Sequence, residues 1–281
     1  MYKGLSPWAI GVKPANLDEA IQAAVTGGFD GVEFSAQEVL DLSNAIGVDA
    51  VRKKFSAAGI KPAAFGIPEW RTDEDTWKAG LAKLPALAAA AASVGGLRTT
   101  TWIMPCSNEL NFDQNRKFHV TRFKPIAEIL GEHGISLGLE FIGPKTLRDS
   151  QRFPFIYTME AMLTMGADIG PNIGLLLDCW HWHTSCGTVD ELLALKPEQV
   201  VYVHVNDAPV GVSIDENKDH ERGLPGETGV INIGGFLKAL DTIGYDGPVT
   251  AEPFADLSGL ASDAERLNLI GASMDKIFAL R

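Results

Sequence analysis

The chain has little sulfur and no long apolar run. Its three cysteines, Cys106, Cys179 and Cys186, are an odd number and widely spaced. They are too few for a disulfide framework, and no CxxC pair stands ready for a structural zinc. A reducing, cytoplasmic setting is the expectation. No apolar stretch reaches the roughly 18 residues of a membrane-crossing helix. The segment Met1–Gly11 has no basic start followed by an apolar core, so no signal peptide is expected. Basic charge is also scarce: 24 Lys+Arg stand against 36 Asp+Glu, a net charge of -12. Without a Lys/Arg cluster such a surface repels phosphate backbones and anionic lipid. Nucleic acid and membrane are therefore not expected as partners.

What is present is core-forming sequence. Hydrophobic residues make up 46% of the 281 residues and charged residues 21%, which excludes a disordered or collagen-like chain. Short apolar runs alternate with longer amphipathic ones. Strands are expected at Leu5–Ile10, Gly31–Phe34, Ile60–Gly66, Leu97–Ile103, Ser136–Ile142, Ile173–Asp178, Val200–Val205 and Val249–Pro253. The helices expected between and after them run from an Asn16-led start to Gly27-Gly28, then over Val48–Ala58, Glu74–Val94, Gln114–His133, Phe155–Met165, Val189–Leu195, Ile233–Ile243 and Ser262–Leu280. Asn at a start and Gly at an end follow the capping preferences. Ile173–Leu177 and Val200–Val205 are apolar on both faces, as buried parallel strands are. Eight βα units of about 35 residues point to an α/β fold, a (β/α)8 TIM barrel filling 1–281 as one domain. The competing doubly wound sheet lacks its Gly-rich phosphate turn here. The polar stretch Asp207–Gly229 reads as a long functional loop.

Barrel chemistry sits at the C-terminal ends of strands. Four consecutive strands each carry one ligand-type side chain there: Glu140, Asp178, His204 and Glu252. Gathering three carboxylates is costly unless a cation compensates them, and a divalent metal is the simplest such cation. Three oxygens and one imidazole suit Mn, Zn, Co or Mg. The spacing Asp178-x-x-His181 places His181 over the mouth, with His183 behind it. Trp180 and Trp182 could cover an apolar sugar face or belong to the core, and Trp8 and Trp102 lie near other strand ends. Glu33 is a candidate substrate contact after the second strand. Lys145 and Arg148 follow the fifth and could meet an oxyanion. Arg222 is the one strong candidate in the long loop. His119 and His133 read as helix-surface residues.

The pieces Leu-Glu140-Phe-Ile-Gly, Gly-Leu-Leu-Leu-Asp178-Cys-Trp-His181-Trp-His183, His204-Val-Asn-Asp207, Arg222-Gly-Leu-Pro225-Gly226-Glu-Thr-Gly229 and Ala-Glu252-Pro-Phe254 together resemble the xylose-isomerase-like sugar isomerases and epimerases, over almost the whole chain. Among them the inosose (2-keto-myo-inositol) isomerases look most similar. The resemblance implies one divalent metal on the four strand-end ligands. It also implies substrate contacts from His181 and Arg222. Ketose 3-epimerases, inosose and dehydroshikimate dehydratases and endonuclease IV share variants of the pattern. Endonuclease IV is set aside, because it would bring more metal-binding histidines and a basic groove. The sequence departs from the expected pattern in Pro-Gly-Glu-Thr-Gly where Pro-Gly-x-Gly is usual, in Trp180 and Trp182 where Phe is expected, and in Gly-Pro-Lys-Thr-Leu-Arg after Glu140.

The expected activity is metal-dependent isomerisation or epimerisation of a polyhydroxy ketone. Glu140 and Glu252 would act as acid and base, and His181, Arg222, Glu33 and Trp102 would contact a sugar or cyclitol. Dehydration on the same site is the alternative. Glycoside cleavage by elimination and a non-catalytic sugar-binding barrel are further ones. Barrels of this size often pair, so a homo-oligomer is possible.

Overall fold

Parallel strand pairing closes into a ring, and this ring fixes where every functional side chain points. The computed structural model describes residues 1–254, 257 and 259–281. We number the ring strands β1 (Tyr2–Leu5), β2 (Gly31–Val32), β3 (the segment holding Lys61–Pro62 and Phe65–Gly66), β4 (Arg98–Ile103), β5 (Ser136–Phe141), β6 (Ile173–Asp178), β7 (Val200–Val205) and β8 (Pro248–Ala251). Every neighbour in the ring pairs parallel, including β8 with β1. Closure runs through β3. Lys61–Pro62 pairs with β2, Phe65–Gly66 pairs with β4, and Ala63–Ala64 lie between the two halves. The barrel and its ring of helices agree with the fold expected from the alternation of short apolar and amphipathic runs. No described helix is long and apolar enough to cross a membrane.

The ends of several elements differ from expectation for local reasons. The first strand is Tyr2–Leu5, not Leu5–Ile10. Pro7 cannot donate to a ladder, and Trp8–Ile10 instead form a 3-10 turn closed by Gly11 in the left-handed region at φ 74. Two helices follow β2 rather than one: Ala36–Ile46 precedes Val48–Ala58, and Gly47 at φ 86 separates them. The helix after β5 begins at Met159, not Phe155. Phe153–Pro154 pairs with Cys106–Ser107 as a small antiparallel clip, and Phe155–Ile156 are buried beyond it. A six-residue helix, Cys179–Thr184, starts directly off β6, where a loop was expected.

His119 is not on the helix surface. It is buried against Trp70, Phe118, Phe123 and Phe155, with ring centroids 5.1 to 6.2 Å away. Its Nδ1 pairs with the Asn115 carbonyl at 2.8 Å. Burial, with the Arg71 charge adding to it, pushes its pKa down from 6.5 to about 4. The unfolded chain therefore takes up a proton below about pH 6.5 that the folded chain refuses until about pH 4. Stability is lost as pH falls through that window, by about 3 kcal/mol at its lower end. His119→Leu is expected to flatten the fall in melting temperature between pH 6.5 and 4. An unchanged slope would mean that the ring is charged or solvated in the native state.

Candidate active site

Period-two alternation decides which strand residues face the ring interior. Glu140 on β5, Asp178 at the end of β6, His204 on β7 and Glu252 just after β8 converge there. Each offers a ligand atom within 4.8 Å of all the others. Glu140 Oε1 and His204 Nδ1 are buried and have no hydrogen-bond partner among the described residues, although they lie only 3.6 Å apart. Three carboxylates and one imidazole gathered this closely are the residue types that suit a divalent cation. Cys179 takes no part: its Sγ faces Asn206.

Without such a cation the site balances its charge internally. Arg222 Nη1 donates to Asp178 Oδ2 at 2.7 Å and to Glu252 Oε2 at 2.8 Å. The guanidinium is buried. Burial alone would lower its pKa, but Asp178, Glu252 and Asp219 outweigh that and raise it. His204 lies 3.3 Å from Glu252, and the two carboxylates beside it hold its pKa well above 6.5 despite burial. Burial pushes Glu140 up to about 8. It would raise Glu252 too, but the His204 and Arg222 charges bring Glu252 down to about 2. Asn206 Nδ2 fixes Asp178 through Oδ1 at 3.0 Å.

His181 sits in the short helix after β6, fully buried. Its Nδ1 accepts the Gly143 backbone N–H at 3.1 Å, which leaves the proton on Nε2 when the ring is neutral. Burial and the neighbouring Arg222 charge keep it neutral, with a pKa well below 6.5. Nε2 therefore stands as a donor 3.2 Å from a second donor, Arg222 Nη2. The two stand beside one acceptor, Asp219 Oδ1, 2.7 Å from Nη2 and 3.9 Å from Nε2. They face a cavity of about 360 Å³ that Glu140, Glu252, Trp102 and Phe254 also line. Gly143 has to be glycine, because a Cβ there would stand 2.4 Å from the His181 carbonyl oxygen.

The other candidates divide. Trp102 lines the same cavity, its ring 3.7 Å from the Arg71 guanidinium. Trp180 and Trp182 are core residues rather than a cover for the site. Lys145 pairs with Asp149, and Arg148 lies over Tyr157. His183 is half-buried outside the cluster. Glu33 is bonded by Ser6 Oγ at 2.7 Å and Tyr202 Oη at 2.8 Å, and lines a separate cavity.

Sequence reading missed Asp207, Asp219 and Gly143. The Asp207 carboxylate accepts the backbone N–H groups of Ala208, Thr228, Gly229 and Ile231 at 2.7 to 3.0 Å, and its backbone pairs with Gly223. It thereby clamps the loop that delivers Arg222. Asp219 accepts from Arg222 Nη2 at 2.7 Å. The only signal in the sequence was their position inside the long polar loop or next to a ligand.

The family model described as xylose isomerase-like TIM barrel matches residues 21–276. The chain belongs to that family. It is 25% identical to an inosose isomerase of Halalkalibacterium halodurans over 247 residues, which cover 85% of this chain and 83% of the relative. A xylose isomerase domain protein from Alicyclobacillus acidocaldarius superposes with a TM-score of 0.86 at 29% identity, over 99% of this chain and 98% of that one. The IOLI protein, solved with a bound zinc atom, superposes with a TM-score of 0.76 at 18% identity over 99% and 98%. That last likeness is one of fold.

Proposed function

We propose that the protein is a divalent-metal-dependent isomerase or epimerase of a polyhydroxy ketone, an inosose or a ketose. One observation carries this reading: two members of a four-residue metal-ligand set, Glu140 and Glu252, line the same cavity as a pair of converging donors, His181 and Arg222. The inosose isomerase relative and the zinc in the IOLI structure support it.

Glu140, Asp178, His204 and Glu252 would hold the metal, whether Mn, Zn, Co or Mg. Bound there, it would supply Lewis acidity to a substrate carbonyl oxygen. The chain's own groups do the rest. His181 Nε2–H and Arg222 Nη2–H donate to substrate oxygens and set which carbon faces the carboxylates. Gly143 holds the His181 tautomer that makes this possible. Glu140 and Glu252 stand on β5 and just after β8, at opposite ends of the ligand arc. One takes the proton on the carbon next to the carbonyl, and the other returns a proton. Trp102 and Phe254 wall the cavity and limit the access of water.

The test is proton exchange in deuterated buffer, followed by NMR on 2-keto-myo-inositol and on ketohexoses, with and without chelator. Exchange is expected and should vanish with the metal. Glu140→Gln should slow it by about 10² to 10⁴-fold, the usual worth of a positioned acid or base. A Glu140→Gln protein that binds metal and substrate and still turns over fully would remove Glu140 from proton transfer.

A further inference from the structure

The barrel mouth carries two cavities. The one just described lies over β4–β8. A second, of about 540 Å³, lies over β1–β4. Both fall within the roughly 300–1,000 Å³ of ordinary ligand pockets. The two are neighbours. Thr100 and Trp102 stand two residues apart on β4, hence on one face, and each lines one cavity. Tyr202 donates to Glu33 in the second cavity, and its ring stands edge-on to His204 at 5.6 Å. The Glu33 carboxylate is therefore one side chain away from a metal ligand.

The lining of the second cavity is specific in character. Trp8 turns out of the loop after β1 with 64% of its surface exposed. Phe34 and Phe65 add apolar wall, and Glu33 and Glu38 add carboxylates. Among the described residues no lysine or arginine lines it. A phosphate or carboxylate entering here would meet two acids and no cation, which is costly. Hydroxyl groups fit. Each carboxylate oxygen has two lone pairs, and Ser6, Tyr202 and the Leu17 N–H occupy only some of them. An indole face beside acceptors suits the C–H face and the hydroxyl rim of a sugar ring.

We propose that this second cavity is a subsite for an uncharged polyhydroxylated ring, so that the preferred substrate is a keto sugar carrying a second sugar ring. The placement of its keto ring over β4–β8 rests on the isomerase reading above. The second ring lies over β1–β4 between Trp8 and Glu33.

The experiment compares 2-keto-myo-inositol, a one-ring probe, with 3-ketotrehalose, a two-ring probe, on the metal-loaded protein. Binding is read by calorimetry and proton exchange by NMR, in the wild type and in Trp8→Ala. The two-ring probe should bind about tenfold tighter, and Trp8→Ala should erase most of that preference, as loss of one aromatic contact does. Trp8 is exposed, so an unchanged melting temperature serves as the folding control. Exchange on the one-ring probe with no two-ring preference overturns the subsite and leaves the isomerase reading standing. Trp8-dependent binding of the two-ring probe without exchange on either probe or on the ketohexoses upholds the subsite and removes the isomerase reading. Binding of neither probe overturns the subsite, and the isomerase reading then falls only if the ketohexoses also show no exchange.

Discussion

Arg222→Met should lower the melting temperature of the metal-free protein by roughly 10 °C, and a saturating divalent metal should restore much of that loss. The guanidinium is a buried cation shared by Asp178 and Glu252. Removing one partner from a buried ion pair typically costs about 3–5 kcal/mol, because the other charge is left uncompensated. In a domain of this size each kcal/mol moves the transition by about 2–4 °C. A bound metal would neutralise the same carboxylates, so it should stabilise the variant more than the wild type. Turnover should not return with stability, since the Nη2 donor beside His181 is gone. An equal melting shift in chelated and metal-loaded protein would show that Arg222 does not share the cation's place.

Asp207→Ala should cut turnover about 100-fold, the scale of an ångström-sized misplacement of a catalytic group, while metal affinity changes little. Asp207 touches no part of the ligand cluster. Its carboxylate instead ties four backbone N–H groups of the loop that carries Arg222. Truncation strands these donors, and a buried unsatisfied donor costs about 1–3 kcal/mol before relaxation. A stability loss of roughly 2–4 kcal/mol is expected alongside the kinetic one. Asp207→Asn should rescue little, because its amide nitrogen would face N–H groups on one side. The split to look for is a fall in kcat at unchanged metal stoichiometry. Loss of metal from Asp207→Ala would instead place the residue in the support of the ligand set.

The parts of this molecule that could be read from sequence are those whose cause is local. Strands β6 and β7 match their expected bounds because they are buried on both faces along nearly their whole length. Glu140, Asp178, His204 and Glu252 could be grouped because a parallel barrel brings successive strand ends together. The parts that could not be read depend on partners far along the chain. His119 looks like a surface residue within its own helix, and its burial comes from Trp70, 49 positions earlier. Gly143 looks like a turn, and its need for a bare Cα comes from the His181 carbonyl. The Asp207 clamp spans a loop without periodicity. Glu33 was read as a candidate contact after the second strand, and the hydroxyls of Ser6 and Tyr202, distant in sequence, fix its direction.

If the proposed metal dependence holds, the paired Arg222 has a consequence for how the protein is supplied with its ion. A centre whose carboxylates repel one another until the ion arrives makes maturation wait on ion supply, as in small zinc modules. Here an arginine from the chain itself already sits between Asp178 and Glu252. On the metal-dependent reading the barrel would mature first and be charged afterwards, and it would give up its ion to a stronger competitor without unravelling. Scarcity of the ion would then idle the protein rather than destroy it, and restored supply would revive existing molecules without new synthesis.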